Sequence, residues 1–160
     1  MKNIGKIKVD VDLAYEYQKM ALEDENVAKL LKHNRQYRHS IYFFIQSMEK
    51  YIKSKIFTLV NPNNEFYIQK NRHHSLYSSV EFLIEVISPD ENIRNQIKQQ
   101  FNKYVFKELN SINLHNNLRY PFYNDKRKSY TKVEYNEHDC KYIEDMLDNL
   151  KKYLNDLNRI

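Results

Sequence analysis

One glycine and three prolines in 160 residues set the tightest limit on what this chain can fold into. Hairpins and meanders draw on glycine for backbone turns of positive φ. A chain this poor in turn residues cannot punctuate an all-β fold, so long helices are expected. The length suits one domain spanning residues 1–160. With 41% hydrophobic and 29% charged residues, the chain has enough apolar surface for a core.

Apolar spacing predicts five helical segments. The first covers about 12–32, with Leu13, Tyr17, Met20, Val27 and Leu31 on one face. The second covers about 34–59, striped by Ile41, Ile45, Met48, Ile52 and Ile56. Only "KHNRQ" separates the two, so one long bent helix is an alternative. "NPNNE" marks a turn, an irregular "FYIQKNRHHS" comes next, and a third helix runs to Ile87. In "SPDE", Ser88 can cap, Pro89 suits the first helical position and Glu91 can reach back to the cap. The fourth helix then continues through Phe101, Leu109 and Ile112 and stops near Arg119, because Pro121 disfavours helical geometry before it. After the loop 121–135, Asn136 caps a fifth helix, with Asp139 in its first turn and Ile143, Leu147, Leu150, Leu154 and Leu157 as its stripe. The expected architecture is all-α: an antiparallel up-and-down bundle of four main helices plus an N-terminal helix.

If those helices alternate in direction, two distant segments meet at one pole. Arg72, His73 and His74 would approach His115, Arg119, Tyr120, Lys126, Arg127 and Lys128, with Phe122, Tyr123 and Tyr130 interleaved. Cations can hold phosphates while aromatic rings stack on bases, so this pole is the expected anion or nucleic-acid surface. The same topology sends His33, Arg35, Arg38 and His39 to the opposite pole, where a helix C-terminus attracts cations for dipole reasons alone.

The net charge is +5 and the pI about 9.1, which permits an anionic partner without demanding one. Cys140 is the only cysteine, which excludes an internal disulfide and a thiolate zinc cluster. No apolar run approaches a membrane span, and "MKNIGKIKVDVDL" has no signal-peptide core, so a soluble, cytoplasmic protein is expected. One glycine leaves no Gly-rich phosphate loop, and adjacent His73 and His74 point apart on a helix. No cofactor or metal is expected. The sharper chemical option is metal-independent RNA cleavage. His115, whose ordinary pKa suits neutral pH, would act as acid or base, and Arg119, four residues on, would hold the phosphate. A third option is a protein-interaction module, such as an antitoxin or inhibitor, presenting some of the 14 tyrosines.

Three stretches carry a family resemblance. "HSIYFFIQSMEKYIKSKIF", with Gln46, Glu49 and Lys50, resembles the early helix of HEPN-domain proteins. "RHHSLYSSVEFLIEVI" resembles the next HEPN helix, and Arg119, Tyr120 and Pro121 in "LRYPFY" match an Arg-Tyr-Pro that ends a later one. The resemblance covers about 35–160, with the first helix as an addition. It implies a helical bundle, usually dimeric, that binds RNA or nucleotides. Such domains often lie beside a nucleotidyltransferase or in toxin–antitoxin and antiviral defence systems. Ribonuclease members carry Arg, four to six residues, then His. Counted from Arg119, those positions hold Asn124, Asp125 and Lys126, which favours a non-catalytic member. The expected ligand-binding set, read from the pole described above, is Arg72, His74, His115, Arg119, Tyr120, Lys126, Arg127 and Lys128.

Overall fold

A computed structural model describes residues 4–107, 109 and 114–157, leaving aside the side chain of His115. The helices are α1 (Leu13–His33), α2 (Tyr37–Leu59), α3 (Glu65–Asn71), α4 (Leu76–Ile87), α5 (Glu91–Gln100), α6 (Leu114–Arg119) and α7 (Glu137–Asp156). Two three-residue strands, β1 (Phe122–Asn124) and β2 (Ser129–Thr131), form an antiparallel hairpin between α6 and α7. The fold is all-α, as expected, with this hairpin as its single small sheet among the described residues.

The first two helices are separate. Arg35 takes a left-handed turn at φ 59, and α2 starts afresh at Tyr37. The antiparallel pairing of α1 and α2 is written in small residues. Ser40, Ser47 and Ser54 on α2 donate to the carbonyls of Ala28, Ala21 and Ala14 on α1, at 2.7, 2.7 and 2.8 Å. Each seven-residue step forward on α2 meets a seven-residue step back on α1. Seven residues are close to two helical turns, so both rows stay on one face. Alanine lets the backbones approach until a serine hydroxyl can reach across. The buried hydroxyls are thereby satisfied.

The core lies on the other side of α2. Ile41, Phe44, Met48, Ile52 and Ile56 pack against Leu83 of α4, Phe101 and Val105, and Ile143, Met146, Leu147 and Leu150 of α7. Side-chain burial of this kind stabilises by about 1.5–3 kcal/mol per large residue. Helix α7 starts as its sequence predicts. Asn136 and Asp139 form a reciprocal capping box. Helix α5 starts two residues later than Ser88 suggests, because Asp90 takes the cap and Ser88 only accepts from the Asp90 N–H.

The expected long fourth helix is broken. Helix α5 widens into a π turn over Phe101–Phe106, and Lys107 adopts φ 47, which ends it. Leu109 accordingly lies outside any helix, Ile112 lies outside the described residues, and α6 is a separate element. The irregular stretch before the third expected helix contains the short α3.

Helix α7 runs antiparallel to the π segment, with Tyr153 bonding Gln100 and Tyr142 the Phe106 carbonyl. Ser40 lies 3.1 Å from Cys140, and Lys151 sits over the Tyr51 ring, so α7 runs parallel to α2. Strict alternation would have made the two antiparallel.

Candidate nucleic-acid interface

The parallel course of α2 and α7 separates the two basic segments expected at one pole. Lys53, in the second half of α2, donates to the carbonyls of Asn71 and His73 at 3.2 and 3.0 Å. That places Arg72, His73 and His74 beside Lys53. Arg38, in the first turn of α2, donates to the Leu118 carbonyl at 2.8 Å. That places Arg119 and Tyr120 at the other end of the helix, roughly 22 Å away by helical rise. Arg72 and His74 therefore do not join Arg119. Arg38, expected at the far pole, is the residue that does.

Around Lys53 the geometry is that of a structural clamp. Lys53 is 2% exposed and pairs with Glu49 at 3.0 Å, one turn away. Its two carbonyl acceptors close the end of α3 and the loop into α4. Tyr17 lies under the ammonium and bonds Asn71 through its hydroxyl. Burial raises the Tyr17 phenol, outweighing the Asn71 hydrogen bond that opposes it. His74 sits at the solvent edge with Nδ1 3.5 Å from Glu49. Of the matched motif, Glu49 thus serves this clamp and Lys50 pairs with Asp24 on α1.

The second cluster is an open cleft of ≈ 430 Å³ where the start of α2, the end of α6 and the chain leaving β2 meet. Arg38, Arg119 and Lys132 supply three cations, and Tyr120 and Tyr135 two rings. The Arg119 guanidinium lies 5.2 Å from the centre of the Tyr120 ring. Arg38 also meets His39 Nε2 at 3.0 Å. Glu134 tempers the charge, 3.5 Å from Lys132. Burial raises the Tyr135 phenol, the carboxylate of Asp139 adds to it, and Arg38 opposes both. Tyr135 is therefore a neutral stacking or hydrogen-bonding group at physiological pH.

Lys126, Arg127 and Lys128 occupy the hairpin turn, where the Asn124 side chain accepts from the N–H of Lys126 and Arg127. Lys128 takes φ 48 to close it. The strands carry these three cations roughly 13 Å out from the cleft at about 3.3 Å per residue. Tyr123 and Tyr130 pair edge-to-face across the strands at 5.5 Å. His115 lies in α6, but its side chain, and with it the expected His115–Arg119 pair, lies outside those described.

Sequence reasoning missed Arg38, Lys132 and Tyr135. Arg38 did carry a signal. A cation in the first turn of a helix opposes the macrodipole, and α2 has no acidic residue there to offset it. Such a residue is held by something else, here a carbonyl of α6. Lys132 and Tyr135 carried no signal, because only the hairpin brings them back beside α6.

Among the described residues, no group of three metal-ligating side chains converges and no helix is long and apolar enough to cross a membrane. Comparison with known proteins identifies a family. The model of the HEPN domain family covers residues 14–152. The chain belongs to that family, and the match takes in α1 as well as the rest of the bundle. No curated protein and no solved structure matches.

Proposed function

We propose that this HEPN-family chain is a module that binds single-stranded RNA and does not cleave it. A base stacks in the cleft beside Tyr120 and Tyr135, Arg119 and Lys132 hold the adjoining phosphate, and the hairpin tip tracks the backbone. The carrying observation is the cleft itself: three cations and two tyrosines from three separate segments line one open space. Rings that accept any base, flanked by backbone-tracking cations, are the usual means of gripping a single strand. The further cations at Lys126, Arg127 and Lys128 favour a strand over a lone nucleotide. Arg38 shapes the cleft by fixing α6, and a guanidinium has five N–H donors, so its bonds to Leu118 and His39 leave capacity for a ligand.

The absence of an Arg-x4–6-His spacing from Arg119 supports binding without catalysis. Within this reading the chain works in a toxin–antitoxin or defence setting, as a homodimer or beside a partner protein such as a nucleotidyltransferase or antitoxin. The test is direct, because the chain has no Trp and absorbs little at 260 nm. Purified protein should carry a raised 260/280 nm absorbance ratio that a high-salt wash removes. A clean protein spectrum at low salt, with no uptake of added RNA, would count against the reading. Shortening of added RNA would show the non-catalytic part to be wrong.

A further inference from the structure

Residues 6–12 read Lys-Ile-Lys-Val-Asp-Val-Asp, an unbroken alternation of charged and apolar residues. Two-residue alternation is the pattern of a strand with one apolar face. Yet this arm forms no strand in the protomer and leaves Ile7 and Val9 91% and 77% exposed. A strand pattern without a sheet lacks a partner.

The charges identify the partner. Laid antiparallel against a second copy about a two-fold axis at Val9, the arm matches itself at every position. Lys6 faces Asp12, Ile7 faces Val11, Lys8 faces Asp10, and Val9 faces Val9. Opposite charges across an antiparallel pair stabilise it and like charges oppose it, so shifting the register by two residues puts Lys8 opposite Lys8. We propose that residues 6–12 pair with the same segment of a second copy of this chain, forming a two-stranded antiparallel ribbon that joins two bundles. The contact is isologous, as a closed two-fold dimer requires.

Two features bear on its formation. Asp10 has φ 53 in the protomer and turns to extended geometry on pairing. Aspartate crosses between those regions more readily than most residues. A two-stranded ribbon is marginal alone, so its apolar face needs cover. Helix α1 comes directly after it and leaves Tyr15, Leu22 and Leu30 exposed at seven- and eight-residue spacing, a single apolar stripe. None of these residues lines the Arg119 cleft, so the proposal stands apart from the RNA-binding reading.

Cysteine cross-linking in the full chain tests it, since the native Cys140 is buried. Val9→Cys should form a covalent dimer under mild oxidation. Lys6→Cys should give no covalent dimer at the same concentration, because the two copies of position 6 lie roughly 20 Å apart along the ribbon. In sedimentation equilibrium, Lys8→Asp or Asp10→Lys alone should weaken dimerisation, and the double exchange should restore it. No cross-link at Val9, equal cross-linking at Lys6, or a double exchange no better than either single would overturn the proposal.

Discussion

Arg38 and Leu118 stand eighty positions apart in the sequence and 2.8 Å apart in the fold, guanidinium to carbonyl. This bond ties the end of α6 to the start of α2 and so sets where Arg119 and Tyr120 are presented. It also relieves an Arg placed against a helix dipole. Replacing Arg38 with Met keeps most of the stem and removes the donor. The expected loss is about 1.5–3 kcal/mol for a hydrogen bond to a charged group. It should appear as a lower urea midpoint with an unchanged slope. RNA affinity should fall with it, because α6 loses its anchor.

The serine–alanine seam makes a second prediction, in which size matters more than polarity. Ser47→Ala removes one bond to the Ala21 carbonyl and should cost about 1 kcal/mol. Ala21, fully buried, has no room for a larger side chain. Ala21→Leu should cost about 1–3 kcal/mol or more by forcing α1 and α2 apart. Denaturant titration of the two variants should rank Ala21→Leu as the more damaging.

Lys53 and Glu49 form a buried pair whose partners are also backbone carbonyls. Lys53→Met leaves Glu49 without its cation and the carbonyls of Asn71 and His73 without a donor. Removing one member of such a pair costs about 3–5 kcal/mol. A Lys53→Met/Glu49→Leu double variant should recover part of that loss. Thermal unfolding of the three proteins checks the order: wild type, then the double, then the single. RNA affinity of the folded double variant should stay close to wild type, since this clamp lies away from the cleft.

Glu25 makes the fold sensitive to acid. Burial by itself would raise its carboxyl, but hydrogen bonds from Lys29, Lys151 and Tyr51 outweigh it and hold the pKa below the ordinary 4.5. A carboxylate with a lowered folded pKa contributes stability above its unfolded pKa and loses it as pH falls through the folded one. Stability should therefore be level near neutrality and decline from about pH 4.5 downward. Glu25→Gln should be less stable at pH 7 and show a shallower acid decline. Urea midpoints measured across that range would reveal an unchanged slope if Glu25 were not responsible.

The sequence made some of this legible and hid the rest for physical reasons. Helix α7 was readable to its cap, because Asn136 and Asp139 act within one turn. The apolar stripe of α2 was readable for the same local reason. The α1–α2 seam was present as Ala14, Ala21, Ala28 and Ser40, Ser47, Ser54, but small residues do not register in a search for hydrophobic stripes. The π turn before Lys107 was not legible. Ile97, Phe101 and Val105 keep a four-residue spacing straight through it, and a left-handed Lys has no sequence signature. The course of the chain between α2 and α5 was not legible either: it leaves α7 parallel to α2, which reversed the inferred poles and exchanged Arg72 and His74 for Arg38 as neighbours of Arg119.

Charge and stacking in the cleft around Arg119 carry the proposed RNA binding. Fluorescence anisotropy with a labelled single-stranded RNA, at two salt concentrations, tests it on wild type and on Arg119→Glu/Lys132→Glu. Wild type should bind with an affinity that falls as salt rises, and the double variant should bind at least about tenfold more weakly with a smaller salt dependence. Equal affinity and equal salt dependence for the two proteins would contradict it.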